Sequence, residues 1–151
     1  MANGEPTPTS IELADVKRMR REILRFLWLR GQHPTEGSTS PEELLYLANL
    51  VPRNGARSIG EIGFNAGFST FAFLSAAPDT RVVSFDLGEH RYSRVAKKLI
   101  DKKFPNRHTL INGDSTKTVP DYHAKNPDLR FDLVFIDGRS EERRVGKECR
   151  L

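Results

Sequence analysis

An α/β protein built on a doubly wound parallel sheet is the fold class this sequence predicts, and three observations carry the prediction. Short apolar runs of strand type alternate with amphipathic stretches of helix type from residue 58 onward. A glycine-bearing turn, Gly63 to Gly67, follows the first run and leads straight into an apolar helix that starts near Phe68. Acids stand at the carboxyl ends of four successive runs: Glu61, Asp86, Asp114 and Asp137. Ligands of open α/β sheets bind at that end of the strands.

Composition narrows the function classes. The chain has 151 residues, 37% hydrophobic and 29% charged, which suits one globular domain with a core of its own. Its net charge of +4 comes from scattered basic residues, so nucleic-acid binding is not expected. Cys149 is the sole cysteine, which excludes an internal disulfide and fits a reducing compartment. No apolar run reaches the ~20 residues a membrane span needs. Residues 1–10 lack the basic start and apolar core of a signal peptide, so the cytoplasm is the expected location.

Taken in order, residues 1–10 are polar, hold two prolines and are expected to be disordered. Ile11 to Leu29 reads as a helix, with Val16, Met19, Ile23, Phe26 and Leu27 at helical spacing among arginines and lysines. Such a basic amphipathic helix suits a packed surface position better than a membrane surface. A second helix starts at Ser40, with Pro41 at the first helical position and Glu43 completing a capping box. Leu44, Leu45, Leu47, Ala48 and Leu50 supply its buried face.

Ser58 to Ile62 is the first strand, and Arg81 to Asp86 the second. Asp86 lies 19 residues beyond Gly67, about where nucleoside-binding α/β folds place an acid that meets ribose hydroxyls. A carboxylate accepts two hydrogen bonds from a cis-diol; an exposed turn before Gly88 is the alternative. Arg91 to Phe104 reads as a helix, His108 to Asn112 as the third strand, and Gly113-Asp114-Ser115 as its closing turn. Residues 116–128 form a short helix or a loop interrupted by Pro120 and Pro127. Phe131 to Gly138 reads as the fourth strand, almost continuously apolar, as a parallel strand covered on both faces should be.

The turn decides between cofactors. A dinucleotide fingerprint requires G-x-G-x-x-G. From Gly63, that pattern meets Asn65 and Phe68 where glycines are needed; from Gly60, it meets Ile62. What remains, Glu61-x-Gly63-x-Asn65-x-Gly67, resembles motif I of the class I S-adenosylmethionine (SAM)-dependent methyltransferases, E/D-x-G-x-G-x-G. Asn65 replaces the middle glycine, and asparagine tolerates left-handed backbone better than most residues. The helix start at Thr39-Ser40, followed shortly by the glycine motif, resembles the catechol- and caffeoyl-CoA-type O-methyltransferases.

That resemblance covers roughly Gly37 to Gly138 and implies a Rossmann-like sheet in the order 3-2-1-4, with later strands missing. It implies cofactor contacts from Thr39, Ser40, Glu61, Gly63, Asn65, Ala66, Gly67, Phe68, Ser69, Asp86, Leu87, Gly113, Asp114, Ser115 and Asp137. Gly63 and Gly67 would make room for the methionine part, Glu61 would attract its ammonium, Asp86 would hold the ribose, and Asp114 would neighbour the adenine. The Gly-Asp-Ser turn explains Asp114 nearly as well. Asp137 matches the first ligand of a divalent cation such as Mg²⁺ in the metal-dependent members, and is the candidate catalytic residue; a structural or substrate-side acid is the other option. One carboxylate is not a metal site, since Mg²⁺ takes six oxygen ligands.

After Gly138 the text changes character. Arg139 to Cys149 matches, without a gap, one reading frame of a common sequencing-adapter oligonucleotide, so residues 139–151 are expected to be a non-native tail. Without them the net charge falls from +4 to +2 and the cysteine is gone. The resulting expectation is the cofactor half of an enzyme that transfers a methyl group from SAM to an oxygen of a small molecule, inactive alone, with a homo-oligomer open. The competing expectations are a nicotinamide-dinucleotide-binding oxidoreductase domain and a non-catalytic binding module on the same fold.

Overall fold

The computed structural model describes residues 11–35 and 39–137, so the expectations for residues 1–10 and 139–151 lie outside the described residues. Nine elements follow in the order α1 (Leu13–Trp28), α2 (Pro41–Arg53), β1 (Ser58–Ile62), α3 (Phe68–Ala76), β2 (Arg81–Asp86), α4 (Arg91–Lys103), β3 (His108–Asn112), α5 (Ser115–Lys125) and β4 (Leu133–Ile136). The strands are all parallel and ordered β3-β2-β1-β4, as expected. The order reverses between β1 and β4, which makes the carboxyl ends of these two strands the natural crevice.

Local chemistry starts the helices where the sequence indicates. The Glu43 N–H donates to Ser40 Oγ at 3.1 Å and the Ser40 N–H to Glu43 Oε2 at 2.9 Å, so the capping box of α2 is closed. The Glu12 N–H donates to Asp15 Oδ2 at 3.1 Å and fixes the start of α1 two residues later than expected. α5 differs more. It runs as one helix through Pro120, with Asp114 capping its start: the Thr116 N–H donates to Asp114 Oδ1 at 2.9 Å.

Helices cover the two faces unequally. α1, α2, α3 and α4 pack together over one face, around Val16, Ile23, Leu27, Leu44, Phe64, Phe73, Leu74 and Ile100. Ser84 meets Thr70 of α3, whereas the next residue, Phe85, meets Tyr122 of α5 edge-on at 5.7 Å. Successive side chains of a strand point to opposite faces, so α3 and α5 flank the sheet. α5 sits over β2, leaving the β1–β4 side of its face thinly covered. The cover on both faces that the apolar run of β4 prefers is thus present on one face only, in line with a strand four that has no outer neighbour among the described residues. Leu133 and Phe135 are partly buried, Phe135 against Phe73, while Val134 is 55% and Ile136 64% exposed.

Two buttresses set the ends opposite the crevice. Asp132 Oδ2 accepts from the N–H groups of Arg57 and Ser58, both at 2.9 Å, and ties the start of β4 to the start of β1. Those two donors hold the Asp132 carboxyl below its usual range. Arg107 donates to the carbonyls of Leu74, Ala77 and Thr80, closing the end of α3 before β2 begins.

Candidate functional site

The turn between β1 and α3 takes the shape that its residue types allow. Gly67 sits at φ 76° as the N-cap of α3, and Asn65 at φ 50° also takes left-handed backbone. A Cβ on Gly67 would lie 2.9 Å from the Phe64 ring, so a side chain is excluded by space as well as by φ. No side chain caps α3. Its first N–H groups and positive dipole end therefore stand at the carboxyl end of β1 with no side-chain cap among the described residues.

Asp86 reaches this turn from the neighbouring strand. Its Oδ2 accepts from the N–H groups of Phe64 at 3.0 Å and Asn65 at 2.9 Å, and its Oδ1 from the Gly88 N–H at 2.8 Å. An ionised carboxylate has about four acceptor positions. Three are taken by backbone, two on Oδ2 and one on Oδ1. Asp86, expected from the sequence to meet a ribose, braces the glycine turn in the structure.

Glu61 is placed differently from its expected role. It is fully enclosed, and its carboxylate oxygens receive the hydroxyls of Ser69, Thr70 and Ser84, the last two each at 2.5 Å from Oε2. Burial raises its pKa above the ordinary glutamate value, more than the three hydroxyls lower it. Its carboxylate thus faces the underside of α3, and direct attraction of a ligand ammonium is not how this arrangement uses it. Ser69, an expected cofactor contact, likewise directs its hydroxyl to Glu61.

The remaining expected residues fall around the same end of the sheet. The Asp137 N–H donates to the Ile62 carbonyl at 2.9 Å, which sets Asp137 beside the glycine turn with its side chain exposed. Gly113, at φ 135°, donates its N–H to the Asp86 carbonyl at 2.8 Å and brings the β3 turn alongside. Asp114 spends Oδ1 on the hydroxyl and N–H of Thr116, which lower its pKa, and Ser115 is buried in the first turn of α5. Leu87 is 41% exposed and offers apolar surface next to Asp86. Phe68 and Ala66 are buried in the core behind the turn, and Thr39 and Ser40 are partly buried, with the Ser40 hydroxyl engaged as a helix cap.

A cation cage is not complete here. Among the described residues no group of three or more His, Cys, Asp or Glu could hold a metal ion, so Asp137 stands as a single carboxylate. The sequence reading missed Thr70, Ser84 and His108, which complete the buried network under the turn. A serine inside the apolar run Val82-Val83-Ser84-Phe85, two strand positions from Asp86, was the available signal.

Comparisons with known proteins agree with this geometry. A sequence family described as a methyltransferase domain matches residues 61–151. Candidate O-methyltransferases from Mycolicibacterium vanbaalenii and Mycobacterium avium are each 31% identical over 103 residues, covering 67% of this chain. The chain spans less than half of those relatives, 44% and 45% of their lengths. Among solved structures, an O-methyltransferase from Bacillus cereus in complex with S-adenosylhomocysteine (SAH) superposes with a TM-score of 0.71 at 24% identity, covering 87% of this chain and 59% of that one. An O-methyltransferase from Streptomyces achromogenes, involved in tomaymycin synthesis and crystallised with SAM, gives 0.66 at 21% identity, covering 92% and 60%. At such identities the likeness speaks for the fold. No helix among the described residues is long and apolar enough to cross a membrane.

Proposed function

Because the chain belongs to the methyltransferase domain family, we propose that it binds SAM at the carboxyl ends of β1 and β2 and serves methyl transfer to an oxygen of a small molecule. The observation that carries this reading is the glycine turn braced by Asp86 ahead of an uncapped α3. The O-methyltransferase names of the relatives support oxygen as the acceptor atom.

The cofactor supplies an electrophilic methyl group on a sulfonium sulfur. The chain's own part is to bind and orient it. Gly63 and Gly67 leave the backbone open to the methionine portion, whose carboxylate suits the α3 N-terminus. The remaining acceptor position of Asp86 takes a ribose hydroxyl, and Leu87, Gly113, Asp114 and Ser115 flank the base. Thr39 and Ser40 form a side wall. Glu61 contributes from below, by fixing the hydroxyls of Ser69 and Thr70 in the first turn of α3. Asp137 is the acid nearest the acceptor side. A divalent cation there would need further ligands from outside the described residues, so no step is routed through one.

A nicotinamide dinucleotide is disfavoured by Asn65 and Phe68 at positions where its fingerprint needs glycine. Calorimetric titration with SAM, SAH and NADH tests the proposal. Saturable binding of SAM and SAH, without NADH, is the expected result; NADH binding alone would replace the methyltransferase reading with the oxidoreductase one.

A further inference from the structure

The proposed function leaves the buried imidazole of His108 unused. His108 opens β3, is 8% exposed, and sets its Nε2 2.9 Å from Ser84 Oγ. Its ring stacks on Phe64, with centroids 5.1 Å apart and planes at 22°. Nδ1 is buried and has no hydrogen-bond partner. On its far side, the Lys97 ammonium donates to the His108 carbonyl at 3.1 Å.

Counting protons assigns the tautomer. A buried N–H without an acceptor is rarer in folded proteins than an under-used acceptor, so the partnerless Nδ1 should be the bare nitrogen. The ring proton then sits on Nε2 and is donated to Ser84 Oγ. A serine hydroxyl has one proton to give, and Ser84 is left to give it to Glu61 Oε2. Thr70 donates to the same oxygen and Ser69 to the other. Burial and the Lys97 charge push the His108 pKa down to about 3, so the imidazole is neutral and the arrangement persists through physiological pH.

We propose that His108 is a positioning residue for the cofactor turn: its Nε2–H, donated to Ser84, directs the Ser84 hydroxyl onto Glu61, while its ring holds Phe64 beside Gly67. The proposal rests on the reading of the β1–α3 turn as a cofactor turn. It acts on both supports of that turn. Glu61 anchors the first turn of α3 from below, and Phe64 supplies one of the two N–H groups of the turn that Asp86 grips.

The test combines the unmodified chain with two variants. Nitrogen-15 NMR of the imidazole should show Nε2 protonated and Nδ1 bare at neutral pH. His108→Gln keeps a donor at similar reach and should retain SAH affinity within about threefold. His108→Phe keeps a ring and loses the donor; it should bind SAH about tenfold more weakly, the scale of one lost hydrogen bond, and shift the free-state amide signals of Phe64 and Asn65. A proton on Nδ1, or His108→Phe with unmoved amide signals and full affinity, would overturn the proposal. If His108→Phe does not fold, the tautomer together with His108→Gln affinity decides. An unmodified chain that ignores SAH overturns the cofactor reading, and with it the purpose assigned to His108, whereas a wrong tautomer overturns the His108 proposal alone.

Discussion

The N–H of Asn65 lies 2.9 Å from Oδ2 of Asp86, so an acid at the end of β2 holds the turn that leaves β1. Asp86→Ala removes that grip and the ribose contact together. SAM binding should weaken by roughly 1.5–3 kcal/mol, the scale of hydrogen bonds to a charged group. Asp86→Asn separates the two roles, because an amide has one acceptor oxygen and cannot serve the turn and Gly88 at once. Its melting temperature should fall even without ligand. A ligand-free melt equal to that of the unmodified chain would leave Asp86 with a ribose role only.

Gly67 combines a positive φ with a contact that leaves no space for a side chain. Gly67→Ala should cost about 1–2 kcal/mol for the left-handed backbone alone, with a further penalty from the Phe64 ring. Gly67→Val should abolish SAM binding. Adding Phe64→Leu to Gly67→Ala should recover the steric part and leave the backbone part. Urea unfolding of the two single variants and the double variant measures this, and strict additivity would show that the ring contact carries no strain.

Glu61 makes stability depend on pH with an unusual sign for a carboxylate. Its folded pKa lies above the ordinary 4.5, so the folded state holds the proton more tightly than the unfolded one. The stabilisation linked to that proton is full below pH 4.5 and is lost as pH rises toward the folded pKa. Glu61→Gln lacks this titration. The stability of the unmodified chain relative to the Gln variant should therefore decline from about pH 4.5 upward. A relative stability that rises over the same range would mean that Glu61 is ionised and better paired in the fold than in the unfolded chain.

The exposed face of β4 carries a prediction about association. Val134 and Ile136 are large apolar side chains left largely in solvent at the edge of the sheet. Covering each stabilises by about 1.5–3 kcal/mol, and an apolar edge invites pairing with another chain. Light scattering on the chain should detect self-association that Ile136→Lys reduces. Equal scattering from both would move the association surface elsewhere.

The strand pattern and the glycine turn were legible because both are written in local sequence: apolar runs of strand length, and Gly63, Asn65 and Gly67 at positions that need positive φ. Sheet order followed from the family resemblance and agreed with the structure. The inward use of Glu61 was not legible. It depends on Ser69, Thr70 and Ser84 converging from two other elements, and no spacing rule relates residues on α3 and β2 to one on β1. The exposure on one face of β4 likewise rests on where another element lies. Continuous apolar sequence states what a strand prefers, while the placement of α5 over β2 decides what it receives. By local propensity Pro120 marks an interruption, yet the helix runs through it.

The Asp132 buttress has a consequence for the order in which the protein assembles as it is made. Asp132 closes on the N–H of Arg57 across 75 residues of chain. At a synthesis rate of about 5–20 residues per second, that interval lasts roughly 4–15 s. Once β2 has been made within that interval, β1 can pair with it, while its other edge waits for β4. An inner strand of the finished sheet is thus the edge strand of the nascent one, and the Arg57 and Ser58 N–H groups stay open until the carboxylate of Asp132 arrives.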